Sequence, residues 1–365
     1  MQVGASILLV TVTITLNRQL NFIMSDDIGY ERENVVVLKM WDKTIKENAD
    51  LIKSELINSP LVKSSALTNS LPLQKTERND ISVRADNGDN TIIPMVTTYF
   101  IDDKYIELLQ IPILSGRNFS IDFQSNISRE ILVNETFVRQ SGISEPVGMK
   151  VKKWGTEYEI IGVVGDFNFT SMKEQIEPLM FSYNPGASEF FLIKISGIDM
   201  DESIGFIESA IRKYSNDFVF DYSLLTDEYN KLYQSEIALG YIFVSFSIVA
   251  LILAILGSYN LISYFVIRSK KQIGIRKVMG ATSELVFIHL VKKFLEPVFL
   301  AIILFSAPAY YLLDRWLMGF SYHINPGISI IIVSVVINLV VVFTTIFTHT
   351  LIASRANPVD SIRGE

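Results

Sequence analysis

The sequence contains no cysteine among its 365 residues, which excludes disulfides, thiolate metal sites, iron–sulfur clusters and a cysteine nucleophile. Charged residues are also scarce, at 19% against about a quarter in soluble domains. With 19 glycines and 11 prolines, the chain is not collagen-like. Apolar residues are abundant: 49% are hydrophobic and the mean hydropathy is +0.32. Such a chain is ordered, and its net charge of −7 argues against a nucleic-acid binder.

The charges are divided unevenly along the chain. Met1–Gly240 contains 22 Lys and Arg against 34 Asp and Glu, whereas Tyr241–Glu365 contains 10 against 5. The first part therefore has a net charge of −12 and the second of +5. An acidic part of mixed composition joined to a basic, strongly apolar part indicates a water-facing domain attached to a membrane module.

Three apolar stretches are long enough to cross a bilayer, whose hydrocarbon core takes about 20 residues of helix. Residues 239–267 contain no charge, residues 294–313 contain Glu296 near their start, and residues 328–351 contain only His349 as an ionisable residue. Core helices of a large soluble protein are the alternative. Uncharged runs of this length are rare in such cores, so three spans are favoured.

A fourth apolar stretch, residues 1–16, starts the chain. Its helix would reach about 24 Å, which is less than the roughly 30 Å of the hydrocarbon core. A cleaved signal peptide is the alternative, but the stretch lacks a basic first segment and a small-residue cleavage site. We therefore expect the outer part of a transmembrane helix that begins upstream, as in a fragment or after a misassigned start codon.

Lys and Arg in short loops favour the cytoplasmic side and so set the expected orientation. Residues 268–293 contain seven of them against one acid, Glu284, whereas residues 314–327 contain only Arg315. The expected order is a partial span (1–16), an outer domain (17–238), a span (239–267), a basic cytoplasmic loop (268–293), a span (294–313), a short outer loop (314–327), a span (328–351) and a cytoplasmic tail (352–365).

The outer domain alternates strand and helix patterns. One β-α-β unit comes early and another comes late, with strands at 34–40, 61–68, 189–196 and 217–225 and helices at 43–58 and 201–214. Asp42 is a candidate N-cap of the first helix. Two β-α-β units far apart in sequence predict one ferredoxin-like lobe interrupted by an insertion.

The insertion, residues 71–184, has its own strand and helix patterns. Residues 91–100 predict a strand, and Pro94 within it favours a sheet edge. A helix at 226–236 is placed to run directly into the next span. The predicted fold class is thus an α-helical membrane module of four spans, the first truncated, with a large α+β extracytoplasmic domain made of a ferredoxin-like lobe and an inserted lobe.

Six segments together carry a specific family resemblance. Two resemble the FtsX-like permease signature of MacB-type ABC transporters: "RSKKQIGIRKVMGATSELV" (268–286) and "SRANPVDSIRGE" (354–365). Four resemble the periplasmic core domain of that family: "LLQIPILSGRNFS" (108–120), "ILVNETFVRQSG" (131–142), "PVGMKV" (146–151) and "EIIGVVGDFNFTSMKEQIEPLMF" (159–181). The resemblance covers nearly the whole chain and is strongest to the C-terminal half of Bacteroidetes-type permeases that repeat the four-span unit.

The resemblance implies an ABC permease subunit of the bacterial inner membrane. Its implied partner is a cytoplasmic ABC ATPase, which uses ATP and Mg²⁺ and drives motion of the periplasmic domain, a process called mechanotransmission. Efflux or export is the implied role, and membrane lipid and a second copy or second permease half are further implied partners. The sequence lacks G-x-x-x-x-G-K-[ST], so we expect no ATPase activity and no bound cofactor in this chain.

The basic loop is the expected contact with the ATPase. A helix over 269–279 has an apolar stripe with basic flanks, and Gly280 is suited to end it. The resemblance of "QIGIRKVMGA" implies a coupling helix that docks on the ATPase. Its candidate residues are Lys271, Gln272, Ile273, Gly274, Ile275, Arg276, Lys277, Val278, Gly280 and Ala281. The alternative is a loop whose charges only fix topology.

Two ionisable residues lie at the expected cytoplasmic membrane edge, Glu296 and His349. Such residues are candidates for function. Glu296 is placed to pair with Lys292, Lys293 or His349, and a structural pair is favoured over a role in transport.

Seven outer residues match the family pattern, and we expect them to provide turn geometry and polar contacts without catalysis: Gly116, Arg117, Asn134, Glu135, Gly148, Gly162 and Asp166. The adjacent pairs Asp26/Asp27 and Asp102/Asp103 predict solvated turn or cap residues. The three histidines are dispersed, so no zinc site is predicted.

Two other functions remain open. An FtsX-like regulator would activate a cell-wall hydrolase through its outer domain and transport nothing. A sensor with a ligand-binding outer domain is less favoured, because no kinase or cyclase sequence follows the last span.

Overall fold

A computed structural model describes residues 2–25, 28–84, 90–121, 127–153, 155–215, 217–279, 282–325 and 327–355. The chain divides into two units. The membrane unit comprises Met1–Ser25 and Gln234–Glu365, and the outer unit comprises Asp26–Tyr233.

The described residues form the following elements. The helices are α1 (Gln2–Ser25), α2 (Lys43–Glu47), α3 (Ala49–Ile57), α4 (Tyr105–Leu108), α5 (Glu135–Ser141), α6 (Met200–Arg212), α7 (Leu225–Lys231), α8 (Gln234–Val278), α9 (Ser283–Leu317) and α10 (Ile328–Arg355). The strands are β1 (Val35–Lys39), β2 (Val62–Thr68), β3 (Glu77–Arg84), β4 (Asn90–Ile101), β5 (Ile113–Gly116), β6 (Glu130–Asn134), β7 (Lys150–Lys153), β8 (Thr156–Val164), β9 (Leu179–Tyr183), β10 (Phe190–Ile195) and β11 (Tyr222–Leu224).

The membrane unit is built from α1, α8, α9 and α10, each long and apolar enough to cross a bilayer. α1 packs against the other three, and α10 packs against both α8 and α9. Buried threonines on α1 bond within their own helix: the Thr11 hydroxyl donates to the Ile7 carbonyl and the Thr15 hydroxyl to the Thr11 carbonyl. These bonds satisfy polar groups for which a bilayer offers no water. The predicted module of four apolar helices is confirmed.

The first span differs from its prediction. Residues 1–16 were expected to form a short partial span, but α1 continues through Arg18 to Ser25 and has 24 residues. At 1.5 Å per residue its length is about 36 Å, which exceeds the roughly 30 Å hydrocarbon core. The prediction stopped at Leu16 because polar residues begin there, and a helix need not end where its apolar run ends.

The expected cytoplasmic loop at 268–293 is mostly helical. α8 has 45 residues and continues to Val278, so the expected coupling helix at 269–279 is the last part of the same helix that contains the second span. α9 begins at Ser283, where the Thr282 hydroxyl accepts from the Leu285 N–H as an N-cap. Only residues 279–282 separate the two helices.

The first lobe of the outer unit confirms the ferredoxin-like prediction. Its strands lie in the order β11-β1-β10-β2, with all neighbours antiparallel. Val36 pairs with Ile193 on one side and Leu224 on the other. Apolar residues of α3 and α6, among them Ile52 and Ile207, are fully buried in one core with these strands.

In this lobe the sequence predicted a helix cap correctly, but it predicted the lengths of a helix and a strand less well. Asp42 accepts from the Thr44 N–H as predicted, but the single helix expected at 43–58 is divided into α2 and α3 at Asn48. Of the strand expected at 217–225, only β11 forms.

The inserted lobe is a closed barrel. The strands β4-β3-β7-β8-β6-β9 are neighbours in that order, and β9 pairs with β4 in parallel, which completes the ring. Apolar side chains of these strands and Phe137 of α5 form its core, as expected for a barrel too small to hold a channel. β5 pairs with β8 outside the ring.

The expectation of an edge strand at residues 91–100 is wrong for the strand as a whole, because β4 has β3 and β9 as neighbours. Among the described pairings, however, the half that contains Pro94 pairs with β3 alone. The register shifts there, Met95 has φ +57, and its N–H donates to the Asp80 carboxylate at 3.0 Å. A bulge therefore accommodates the proline.

The helix expected at 226–236 does not run into the span without interruption. α7 ends at Lys231 and α8 begins at Gln234, with Leu232 and Tyr233 in a turn between them.

Candidate functional site

The coupling residues predicted from sequence lie at the end of α8. Lys271–Val278 are part of this helix, while Gly280 and Ala281 lie outside the described residues, as do the side chains of Lys271–Val278. Arg276 and Lys277 are in the last helical turn, where cations interact favourably with the helix dipole. The structure therefore places the basic segment on an element whose other end is at Gln234.

α8 and α9 differ in stiffness. α8 contains no proline over its 45 residues, whereas α9 contains Pro297 and Pro308. A proline inside a helix removes one hydrogen bond and bends the axis. Of the two helices that meet at residues 279–282, α8 is the one suited to move as a single rod.

The expected ion pair of Glu296 is not seen with Lys292. Both side chains are exposed, and no salt bridge joins them among the described residues. The side chains of Lys293 and His349 lie outside the described part of the chain. Glu296 is followed directly by Pro297, the first of the two prolines of α9.

Gln19 holds the outer loop of the membrane unit, which sequence reasoning missed. Its side chain is fully buried; its Nε2 donates to the Tyr322 carbonyl at 3.0 Å, and its Oε1 accepts from the Ile324 N–H at 2.9 Å. Both ends of the amide are therefore used to fix one loop. No local signal pointed to this role, because Gln19 follows Arg18 and lies beyond the span expected at residues 1–16.

Three of the seven family-pattern residues meet in the inserted lobe. Asp166 Oδ1 accepts from Asn134 Nδ2 at 2.8 Å and from the Thr136 N–H at 3.0 Å. Asp166 Oδ2 accepts from the Thr136 hydroxyl at 2.6 Å. The Asp166 N–H in turn donates to Glu135 Oε2 at 3.0 Å. The first turn of α5 is therefore fixed to Asp166, the second residue after β8.

Asn134 does more than bind Asp166. Its Oδ1 caps α5 by accepting from the Phe137 N–H at 3.0 Å, and the same oxygen accepts from the Leu179 N–H at 2.9 Å. Its Nδ2 also donates to the Glu177 carbonyl at 3.0 Å. One fully buried amide thus joins β6, α5 and the start of β9, which explains why a side chain of this type is needed there.

Three other family-pattern residues meet where β5 lies beside β8. Gly116 has φ +77, and a Cβ there would clash with the Ile161 carbonyl. A Cβ on Gly162 would lie 2.7 Å from the Arg117 carbonyl. Arg117 Nη2 donates to Glu130 Oε1 at 2.6 Å. Close backbone approach therefore requires both glycines.

The seventh, Gly148, stands apart from both groups. It has φ +86, and its N–H donates to the Ile160 carbonyl at 2.7 Å. Its backbone conformation favours glycine.

The Asp102/Asp103 pair departs from the expectation of two solvated acids. Asp102 is 2% exposed; its Oδ1 accepts from the N–H groups of Lys104 and Tyr105, in the turn that leads into α4. Its Oδ2 accepts from the Leu67 N–H at 2.9 Å and from Lys53 Nζ at 2.5 Å. It is a buried acid that ties α4 to the first lobe. Asp26 and Asp27 lie outside the described residues.

A second buried charge lies in the barrel. Lys153 is 4% exposed; its Nζ donates to the Thr98 hydroxyl at 3.1 Å and lies 3.6 Å from Glu77 Oε2. Burial lowers the pKa of Lys153, and Glu77 opposes that shift. Among the described residues no group of three or more His, Asp and Glu is arranged to hold a metal ion.

Two family models together match most of the chain. Residues 3–197 match the MacB-like periplasmic core domain, and residues 244–358 match the FtsX-like permease C-terminal region. The chain is a MacB-type permease. It is accordingly a membrane protein with a large extracytoplasmic domain. A search among curated proteins found no relative that matches this permease.

Three solved structures are similar to part of this MacB-type permease. The periplasmic region of MacB from Actinobacillus actinomycetemcomitans is 12% identical, with a TM-score of 0.41 over 58% of this chain and 98% of that one. The extracellular domain of the noncanonic ABC-type transporter YknZ from Gram-positive bacteria is 14% identical, with a TM-score of 0.36 over 52% and 98%. A domain of a putative permease from Porphyromonas gingivalis is 12% identical, with a TM-score of 0.35 over 53% and 89%.

Proposed function

We propose that this MacB-type permease is the membrane subunit of an ABC transporter of the bacterial inner membrane, which a separate cytoplasmic ATPase drives for efflux or export. The ATPase binds residues 271–281, and its closure on ATP moves the outer unit. The observation that carries the proposal is α8, an uninterrupted helix of 45 residues. Its last part is the segment that resembles the coupling helix of the family.

The length of α8 supports transmission of a push. At 1.5 Å per residue, 45 residues span about 68 Å, roughly twice the 30 Å of the hydrocarbon core. Each backbone N–H inside the helix is bonded to the carbonyl four residues earlier, so the axis resists bending where no proline interrupts it. A displacement of Arg276 or Lys277 is therefore carried along the helix toward Gln234.

The residues of the chain support the proposal that ATP is hydrolysed by a separate protein. The sequence contains no P-loop pattern, so the usual cradle of backbone N–H groups and a lysine for ATP phosphates is missing from it. By sequence, the end of α8 combines the cationic residues Arg276 and Lys277 with the apolar residue Ile273, a composition that suits a protein interface.

Association with candidate ATPases tests the proposal. We expect Ile273→Asp and Arg276→Glu each to reduce the amount of ATPase that co-purifies by about tenfold or more, because each places an acid where an apolar or cationic side chain meets the partner. Arg315→Glu, an arginine at the far end of α9, is the control and should leave recovery unchanged. Wild-type recovery with both α8 variants would contradict the docking proposal.

Export is proposed ahead of activation of a cell-wall hydrolase because residues 3–197 match the MacB-like core domain. Cells that lack this chain are therefore expected to become more susceptible to some antimicrobial peptides or compounds of a broad panel. Unchanged susceptibility together with cells that fail to separate would favour the regulator instead.

A further inference from the structure

The segment Asp166–Met172, "DFNFTSM", joins β8 to the approach of β9 without a helix or strand of its own. We call it the strap. Loops usually lie at the surface, yet three strap side chains, Phe167, Phe169 and Met172, are each 1% exposed. A buried irregular segment must bond its backbone to specific partners, and the partners of the strap lie in three separate parts of the outer unit.

The strap first contacts the segment by which the chain comes into the outer unit. The Asn168 N–H donates to the Ile28 carbonyl at 2.8 Å. Gly29 has φ +85, and a Cβ on it would lie 2.7 Å from Phe167 Cβ, so the two backbones touch. The Tyr30 ring meets the Phe167 ring edge to face, with centroids 5.8 Å apart.

The end of the strap contacts the segment by which the chain leaves the outer unit. The Met172 N–H donates to the Tyr233 hydroxyl at 2.8 Å. Tyr233 is fully buried, lies against Tyr229 with ring centroids 5.3 Å apart, and is the last residue before α8. Arg32 lies over the Tyr229 ring at 4.2 Å, so the incoming and outgoing segments also touch each other.

The start of the strap is bonded to the inserted lobe. Asp166 accepts from Asn134 and Thr136 and donates to Glu135, as described above, which fixes it to the first turn of α5. Phe167 also stacks on Phe181 of β9, with centroids 6.1 Å apart. One segment of seven residues therefore bonds the incoming segment, the outgoing segment and the barrel.

We propose that the strap is the element through which movement of residues 28–30 and 229–233 reaches the inserted lobe. The inference rests on the proposed function, because it assumes that α1 and α8 move when the ATPase works. Since the strap is bonded at both ends, a displacement of Tyr233 pulls Met172. The buried rings of Phe167 and Phe169 limit how far the strap can deform, so Asp166 moves as well and displaces α5. The inserted lobe then moves when these two segments move.

A single hydroxyl makes the link testable in the isolated permease. Tyr233→Phe removes the acceptor of the Met172 N–H and keeps the ring. We expect hydrogen exchange of the full-length protein in nanodiscs to become about tenfold faster at Met172 and also at Thr136 and Phe137, because the strap loosens as a unit. Tyr214→Phe is the matched control, since its hydroxyl contacts Glu55 at 3.3 Å in the first lobe.

Two results of the hydrogen-exchange experiment would contradict the proposed role of the strap. Faster exchange at Met172 with unchanged exchange at Thr136 and Phe137 would show that the strap does not connect Tyr233 to α5. Unchanged exchange at all three amides would overturn the inference as well.

A second experiment measures motion. The chain has no cysteine, so Lys46→Cys and Glu145→Cys, at exposed positions of the first and inserted lobes, accept spin labels without background. With its ATPase and ATP, we expect the distance between the labels to change, and Tyr233→Phe to reduce that change by at least half at an unaltered ATPase rate. An undiminished change in Tyr233→Phe would overturn the strap alone. No change in the unsubstituted protein would overturn the proposed function and the strap with it.

Discussion

Neighbouring residues of one type have different physical roles in this protein. Asp102 and Asp103 are alike in sequence, but Asp102 is 2% exposed and accepts from three backbone N–H groups and Lys53, whereas Asp103 is half-buried. A buried carboxylate that receives four donors is hard to replace, because each donor loses its acceptor in an environment without water.

Substitution of each acid by its amide separates the two roles. We expect Asp102→Asn to lower the free energy of unfolding by about 2–4 kcal/mol, since an amide NH₂ would face the Leu67 N–H or Lys53. Asp103→Asn should change it by about 0.5 kcal/mol or less. Chemical denaturation of the outer unit, followed by the signal of its aromatic residues, measures both. Equal effects of the two substitutions would show that burial of Asp102 is energetically unimportant.

At the scale of single residues, the sequence predicted a helix cap better than it predicted side-chain hydrogen-bond networks. Asp42 was identified as an N-cap because a capping residue and its helix are adjacent in the chain. The cluster of Asn134, Thr136 and Asp166 joins residues about thirty positions apart, and no local pattern reports such a contact. The resemblance identified two of these three residues without indicating that they bind each other.

Two helices of the membrane unit, α8 and α9, differ in how strongly they resist bending. α8 is free of proline, and α9 has Pro297 and Pro308. The basic residues that resemble a coupling helix belong to the stiffer of the two. We therefore expect the effect of the proposed push to depend on the continuity of α8 between the span and the basic end.

A proline placed in α8 tests that continuity. Ile267 is 70% exposed, so its replacement disturbs little packing. Ile267→Pro removes one helical hydrogen bond at a local cost of about 3 kcal/mol and bends the axis. We expect ATPase binding to persist, because residues 271–281 are unchanged, and the ATP-driven distance change in the outer unit to fall by more than half. Ile267→Ala is the control, and an equal distance change in both variants would contradict transmission by α8.

Helices with a long apolar pattern were predicted well, but the residues at which they end were not. The apolar runs predicted all four membrane helices, but α1 and α8 continue through polar and basic residues that no membrane rule assigns to a helix. The break at Asn48 arises within a segment of good helical spacing. Helix ends depend on bonds to neighbouring groups more than on periodicity.

At the scale of the whole molecule, the charge distribution determines the expected orientation. The outer unit belongs to the acidic part of the chain, and the basic residues cluster where α8 ends and α9 begins. From the positive-inside rule we expect residues 268–293 in the cytoplasm and the outer unit on the other side of the membrane.

Labelling of single introduced cysteines tests this orientation, because the chain has no other thiol. Lys46→Cys in the outer unit should react with a membrane-impermeant maleimide in cells whose outer membrane alone is permeabilised. Lys292→Cys on α9 should react only after the inner membrane is opened. Both positions are exposed, so burial does not explain a difference. Reaction of Lys292→Cys in intact inner membranes would reverse the topology and remove the proposed contact with an ATPase.

The arrangement of lobes was partly predictable. Two β-α-β units gave the ferredoxin-like lobe, because that motif has local patterns. Closure of the barrel was not foreseen, since it depends on parallel pairing between β4 and β9, about eighty residues apart. Pairing over such a separation leaves no trace in local hydropathy.

The closed barrel has a consequence for mechanical load. A ring shares tension among all six strands, so it has no end strand to peel away, whereas β11 is three residues long and, among the described pairings, is held by β1 alone. If the proposed function loads the outer unit, we therefore expect β11, the strand that leads directly into α7, to separate first. Its pairing with β1 covers only three residues, so we expect these hydrogen bonds to break before the barrel is deformed.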